Sequence, residues 1–260
     1  MHRLSGESRR RSGLSRRLAR AAAGVGATLE LTLFPSRCKV CRGWLETPGA
    51  KVVCGACLSA LAPEPAPFCP CCGAFFDGAG EPHYCGACLE TPPPFSRHRS
   101  LGRYRGALKE IVLLFKFRGY AVLGRALAEA TCAALGREDG LWWGEPLLIP
   151  VPLHPRRERE RGYNQCSLLA LELAKRSGLE AADGILVRAR NAPPQSTLEA
   201  AARARNIRGA FAVRRPARIR GRTVLLVDDV YTTGSTLKEC AATLLKAGAA
   251  EVRGITLARA

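Results

Sequence analysis

Two carboxylates followed by a hydroxyl-rich turn mark the chemically densest stretch of the chain, Val224-Leu-Leu-Val-Asp228-Asp229-Val-Tyr231-Thr232-Thr233-Gly234-Ser235-Thr236. An apolar run ends in the acidic pair, and a short turn with one glycine then opens a segment of helical periodicity. Each part has a physical job if the ligand is a sugar phosphate. Paired aspartates accept hydrogen bonds from two adjacent ribose hydroxyls. Backbone amides of the turn, the hydroxyls of Thr232, Thr233, Ser235 and Thr236, and the helix N-terminus suit a phosphate, while Gly234 lets the backbone approach closely. The rival is a Walker B strand of a nucleoside triphosphatase. That reading needs a phosphate loop ending in Gly-Lys-Ser or Gly-Lys-Thr, and the dipeptide Gly-Lys occurs nowhere.

The cysteines carry a second chemistry. Eight of the 12 form four pairs: Cys38 with Cys41, Cys54 with Cys57, Cys69 with Cys72, and Cys85 with Cys88. An offset of 31 maps the first half onto the second, and Cys54-Gly-Ala-Cys57-Leu58 recurs as Cys85-Gly-Ala-Cys88-Leu89. A two-residue gap folds into a knuckle that aims both sulfurs at one ion, and two knuckles complete a zinc tetrahedron with bonds of about 2.3 Å. Redox pairs of the thioredoxin kind compete with this reading, but they come singly, after a strand in a βαβ unit. Four thiolates per ion leave no catalytic opening, so the zinc, expected at two ions per chain, is structural or recognitional. Cys71 breaks the repeat and is expected to be spare, although it could replace Cys72. The spacing fits sequential or interleaved knuckles equally. Cys132, Cys166 and Cys240 lie in helical segments and are expected to be irrelevant to metal content.

The elements that must position these groups show in the periodicity from about residue 97 onward. Leu108, Ile111, Val112 and Phe115 fall at helical spacing, as do Leu123, Leu127, Ala130 and Ala134. Leu147 to Val151 reads as a buried strand, Asn164 to Ser177 as a helix stopped by Gly178, and Gly184 to Arg188 as a short strand. Ala210 to Arg214, Thr223 to Asp228 and Val252 to Ala258 read as further strands. Leu237, Cys240, Ala241, Leu244 and Leu245 mark a helix ending near Gly248. Alternating strands and helices predict an α/β domain with a mostly parallel sheet covered on both faces, its ligands beyond the carboxyl ends of the strands. The domain organisation expected is a basic tail over 1–30, a Cys-rich zinc module over 31–95 and the αβ domain over 96–260.

Charge narrows the partners. Forty Lys and Arg face 22 Asp and Glu, a net charge of +18, yet the cysteine-rich segment has an acidic excess. This balance favours polyanions, either phosphorylated small molecules or nucleic acid; arginine enrichment from genome composition would leave the same trace. The arginine-rich start, Arg9 to Arg20, followed by the apolar run Ala21 to Phe34, superficially resembles a signal peptide, but Glu30 interrupts the run. Charged residues are 24% of the chain and no uncharged apolar stretch reaches membrane-spanning length, so no membrane span is expected.

The acidic strand and its turn resemble the signature of the type I phosphoribosyltransferases, whose ligand is phosphoribosyl pyrophosphate. Tyr231 departs from that pattern, which usually has a small aliphatic residue there. Taken with the zinc module, Phe34-Pro35, Lys116-Phe117, Pro150-Val-Pro152-Leu153, Arg161-Gly-Tyr-Asn164-Gln165, Gln195, Arg203 and Asn206, the chain from about residue 30 resembles the ComF family, which includes GntX-type proteins. The resemblance implies a type I phosphoribosyltransferase-like fold behind a small zinc module. It also implies binding of phosphoribosyl pyrophosphate or a related ribose phosphate with Mg2+, transfer to an acceptor that no residue identifies, a role in DNA uptake, and a cytoplasmic location. Asp228, Asp229 and Arg161 would form the catalytic set. Thr232, Thr233, Gly234, Ser235, Thr236, Asn164, Gln165, Gln195 and Arg203 would hold the substrate. Val151 to Gln165 would be the loop on the pyrophosphate side, where Arg156, Arg157, Arg159 and Arg161 otherwise read as a solvated charge run with Glu158 and Glu160. Residues 189–209 would form a closing loop. The alternative is a non-catalytic competence protein that binds single-stranded DNA, works with other competence proteins, and uses the phosphoribosyl site for recognition.

Overall fold

The computed structural model describes residues 35–45, 52–61, 63, 67–136, 140–189 and 207–260. The basic tail and the expected substrate residues Gln195 and Arg203, with Asn206, lie outside them. By internal contacts the chain divides into two compact units, Met1–Ser59 and Ala60–Ala260. The second half of the cysteine repeat therefore falls in the larger unit with the αβ elements.

In the first unit, Cys38–Cys41 forms a turn closed by Cys38 N–H to the Gly43 carbonyl at 2.8 Å, and a short helix α1 (Gly55–Ser59) carries Cys57. The larger unit repeats the arrangement: Cys69 N–H meets the Ala74 carbonyl at 2.8 Å, and α2 (Gly86–Glu90) carries Cys88. The bridges Arg37 to Trp44 and Phe68 to Phe75 also repeat at the offset of 31.

Four parallel strands build the sheet of the larger unit: β1 (Arg97–Arg103), β2 (Leu147–Pro150), β5 (Thr223–Tyr231) and β6 (Glu251–Arg259), in the order β1-β6-β5-β2. β3 (Leu186–Arg188) and β4 (Phe211–Val213) pair antiparallel in a separate ribbon, so these two expected strands stand outside the parallel sheet. Leu147 and Ile149 of β2 and Val224 and Leu226 of β5 share one core with Leu237, Cys240, Ala241 and Leu244 of α7 (Ser235–Lys246), and with Cys69, Cys72 and Cys88. The helices α3 (Gly106–Phe117), α4 (Leu123–Ala134) and α6 (Gln165–Ser177) follow the expected periodicity. α4 packs on α6 and on β1, while α6 packs on β2 and β5.

Two elements escape the sequence patterns. β1 buries His98, Arg99 and Ser100, so its interior is polar and lacks the apolar alternation of a strand. The stretch read as a pyrophosphate-side loop contains a charged helix, α5 (Pro155–Arg161), with no buried residue. Pro155 at its first position, the His154 ring accepting from Arg156 N–H, and left-handed Gly162 at its end suffice to delimit it.

Candidate functional site

The cysteine sulfurs converge in two sets, Cys38, Cys41, Cys54 and Cys57, then Cys69, Cys72, Cys85 and Cys88, with the ligand atoms of each set within 4.8 Å of one another. The halves thus bind sequentially. Cys72 belongs to the set, and Cys71 instead aims its thiol at the Phe95 carbonyl at 3.9 Å. A zinc tetrahedron with bonds of about 2.3 Å has edges of about 3.8 Å. The Sγ pairs match: Cys38 with Cys57 at 3.9 Å, Cys41 with Cys54 at 3.7 Å and Cys72 with Cys85 at 3.6 Å. Both sets also prepare a thiolate. Burial raises the pKa of Cys38, but N–H groups led by that of Cys54 outweigh it and bring the thiol down to about 6. In the same balance, with the Cys85 N–H leading, Cys69 falls to about 7. Burial raises Cys57 to about 12 and also raises Cys72 and Cys88, so each set offers one ready thiolate and the metal's charge must deprotonate the others; the four-sulfur geometry makes these two structural zinc sites.

At the carboxyl end of β5 the two aspartates have different environments. Asp229 is buried, ion-paired to Lys116 Nζ of α3 at 2.7 Å, and accepts from Gln165 Nε2 of α6 at 2.6 Å. Burial works against the Lys116 charge, yet Asp229 outweighs it and raises the lysine pKa. Arg161 donates to the Gln165 side-chain oxygen, so one chain of hydrogen bonds runs from Arg161 through Gln165 to Asp229. Among the described residues no cation pairs with Asp228 as Lys116 does with Asp229. Its Oδ1 accepts from the Asp229 N–H at 2.9 Å and faces the Cys166 thiol at 3.4 Å. Burial first, then the Asp229 charge, push its carboxyl up to about 6. Cys166 joins both carboxylates in a compact group, but burial and the two aspartates drive its thiol well above the usual range, so it stays protonated.

Asn164 turns out to be a cap: its Oδ1 accepts from Cys166 N–H at 3.0 Å and its Nδ2 donates to the Val151 carbonyl at 3.1 Å. Both ends of this carboxamide hold the start of α6, which aims Gln165 at Asp229.

The turn after β5 leaves Thr232 and Thr233 exposed, with Thr233 Oγ1 2.7 Å from Ser235 Oγ. Gly234 adopts φ 74° and lies against the Tyr231 ring, where a methyl would come within 2.9 Å of Cε2 and closer still to the hydroxyl end. Only glycine meets both demands. The first helical bond of α7 runs from Lys238 N–H to Gly234 O at 2.8 Å, and ahead of it the Ser235 N–H reaches Thr233 Oγ1 at 3.4 Å.

Sequence reasoning missed several participants. Lys116 entered only through family resemblance. Arg188 of β3 went unnoticed: its Nε and Nη2 are buried without a hydrogen-bond partner among the described residues, and burial, then Arg157, lowers its pKa, with Asp228 acting the other way. An arginine at the end of a short expected strand was the available signal. His98 and Arg259 were hidden because their partners are backbone carbonyls of the second cysteine half.

A parallel sheet with an acidic strand end, a glycine turn and a helix N-terminus defines a domain of the phosphoribosyltransferase type, here joined to a double zinc ribbon. Residues 164–260 match the Phosphoribosyl transferase domain family and residues 30–89 the Double zinc ribbon domain family. The chain is 32% identical to Competence protein F of Haemophilus influenzae over 88% of its own length and 100% of that protein. It is 35% identical to DNA utilization protein YhgH of Salmonella typhi over 86% and 97% of the two chains. With Competence protein ComFC of Bacillus subtilis the identity is 32%, over 63% and 64%. The chain belongs to this ComF family of competence and DNA utilization proteins. No helix among the described residues is long and apolar enough to cross a membrane.

Proposed function

We propose that the strand-end site binds phosphoribosyl pyrophosphate, or a related ribose phosphate, in a protein that serves DNA uptake. The observation that carries this reading is the placement of Asp228 and Asp229 near the carboxyl end of β5, which a short glycine turn joins to α7. Asp228 and Asp229 accept the ribose hydroxyls, the Thr232 to Thr236 turn takes the 5′-phosphate, and Arg161 and Gln165 lie toward the pyrophosphate. Gln195 and Arg203 belong to the segment expected to close over the ligand. Carboxylates are hard oxygen donors of the kind magnesium accepts, and the ion, when bound with the ligand, supplies charge neutralisation at the pyrophosphate oxygens. In transfer, the bond from ribose C1 to the pyrophosphate oxygen breaks with its electron pair leaving on pyrophosphate, and C1 joins an acceptor nucleophile. Calorimetric titration with phosphoribosyl pyrophosphate and magnesium tests binding, and pyrophosphate release tests transfer. Absence of binding by the full chain would overturn the reading.

A second reading, recognition of single-stranded DNA, draws on the relatives' DNA-related names and on exposed aromatic and basic groups. Trp44 is 56% exposed and Tyr84 55% exposed on the two cysteine halves. Arg214, Arg215 and Arg220 are exposed after β4. Stacking on such rings and phosphate contacts would give binding that weakens steeply with salt.

A further inference from the structure

The second cysteine half docks on the αβ core through residues that also hold the phosphate turn. Arg259 Nη1 donates to the Cys72 carbonyl at 2.7 Å, its Nη2 lies 3.7 Å from Cys72 Sγ, and its Cζ sits 4.2 Å from the centroid of the Tyr231 ring. His98 Nδ1 pairs with the same carbonyl at 2.9 Å, and the imidazole lies 4.4 Å from Tyr231, centroid to centroid. A carbonyl can only accept, so Nδ1 carries the proton toward it. Tyr231 is 5% exposed, clamped between these two groups, and its ring supports Gly234 from below. At Gly73, between the knuckle and β1, a Cβ would sit 2.6 Å from the His98 carbonyl oxygen, so this approach has no slack.

We infer that Tyr231, held by Arg259 and His98 against the Cys72 knuckle, is a positioning residue through which the second zinc cluster sets the shape of the phosphate turn. The inference rests on the ribose-phosphate reading of that turn. A knuckle loaded with metal fixes the Cys72 carbonyl; the carbonyl orients Arg259 and His98; these fix the Tyr231 ring, and the ring fixes Gly234 and the amides that follow. A small aliphatic residue at position 231 could not span this distance.

The test uses the full zinc-loaded chain with three variants. Arg259→Met leaves all eight ligands in place and cuts the link, Tyr231→Val removes the ring, and Tyr231→Phe keeps the ring without its hydroxyl. Arg222→Met, an exposed-side change of equal charge, is the control. Amide exchange over residues 232–238 and affinity for ribose 5-phosphate are measured, with zinc counted in each sample. The expected result is exchange about tenfold faster, and affinity about tenfold weaker, in Arg259→Met and Tyr231→Val, the size expected for one lost charge-assisted hydrogen bond. Zinc stays at two ions, and Tyr231→Phe and Arg222→Met behave as the wild type. Chelating zinc from the wild type should reproduce the faster exchange. Unchanged exchange in Arg259→Met with both zinc ions retained would overturn the coupling. Failure of the wild type to bind any ribose phosphate would overturn the ligand reading alone, because the exchange measurement does not depend on it.

Discussion

Replacing Asp228 by asparagine should make the empty protein more stable at neutral pH while weakening its hold on the ligand. The residue is half-buried, its carboxyl faces Asp229, Lys116 and the Cys166 thiol, and desolvation first, then the Asp229 charge, push it from 3.8 up to about 6. Between those two values the unfolded chain has released a proton that the folded chain retains. The folded state therefore binds more protons, and stability declines as pH rises through this window. At about 1.4 kcal/mol per unit, the full penalty above pH 6 is about 3 kcal/mol, and it vanishes below about pH 4. Asparagine keeps an oxygen to accept from the Asp229 N–H, 2.9 Å away, but brings an amide that needs its own partner. A net gain of about 1 to 2 kcal/mol at pH 7 is the expected remainder. Urea denaturation of both proteins at pH 4, 5, 6 and 7 should show curves that coincide at the acid end and separate toward neutrality. Calorimetry at pH 7 should show affinity for phosphoribosyl pyrophosphate about tenfold to a hundredfold lower in the variant, the worth of one hydrogen bond to a charged acceptor. A variant less stable than wild type at pH 7, or a gap independent of pH, would refute the electrostatic reasoning.

Asp229→Asn should behave oppositely, losing about 2 kcal/mol on thermal or urea unfolding because Lys116 keeps its charge without its 2.7 Å partner; a combined Lys116→Met, Asp229→Asn variant should recover most of that loss. Elemental analysis of unoxidised, fully loaded protein should give two zinc ions per chain, and one or fewer would contradict the two four-cysteine sets. Arg188→Met should raise stability, since its buried Nε and Nη2 have no hydrogen-bond partner among the described residues, and should weaken phosphoribosyl pyrophosphate more than ribose 5-phosphate in parallel titrations; equal losses would place the guanidinium away from the pyrophosphate. If single-stranded DNA binds, neutralising the exposed Arg214, Arg215 and Arg220 should flatten the salt slope by about 2, at about 0.7 per phosphate contact. Arg218 and Arg222 are expected to contribute less, because both pair with Glu180.

What could be read from the sequence was whatever repeats locally. Apolar spacing located α3, α4, α6 and α7, a two-residue gap located each zinc knuckle, and the acidic strand with its turn marked the candidate site. Residues that act through distant partners were invisible. Arg97 to Arg103 lacks the apolar alternation of a strand because the reasons for burying His98 and Arg99 lie elsewhere in the chain: the carbonyl of Cys72 for His98, and those of Cys69 and Pro70 for Arg99. The two aspartates look equivalent as neighbours in sequence, and only the fold gives Lys116 to Asp229 and, among the described residues, no such partner to Asp228.

The cysteine repeat shows how such tertiary demands enter a duplicated pattern. At the offset of 31, Arg42 and Gly73 occupy matching places in their knuckles, and both have φ 66°. An arginine in the left-handed region costs roughly 1 kcal/mol or more, so the turn alone favours glycine without requiring it. In the second half the His98 backbone closes over the same place and excludes any Cβ. The difference between the two positions is therefore set by what each knuckle packs against, and not by the metal that both are built to hold. By the same logic Tyr231 answers to the knuckle beneath it more than to the strand that carries it. A replacement judged by β-propensity alone, such as valine, would satisfy β5 and still unseat the turn at Gly234.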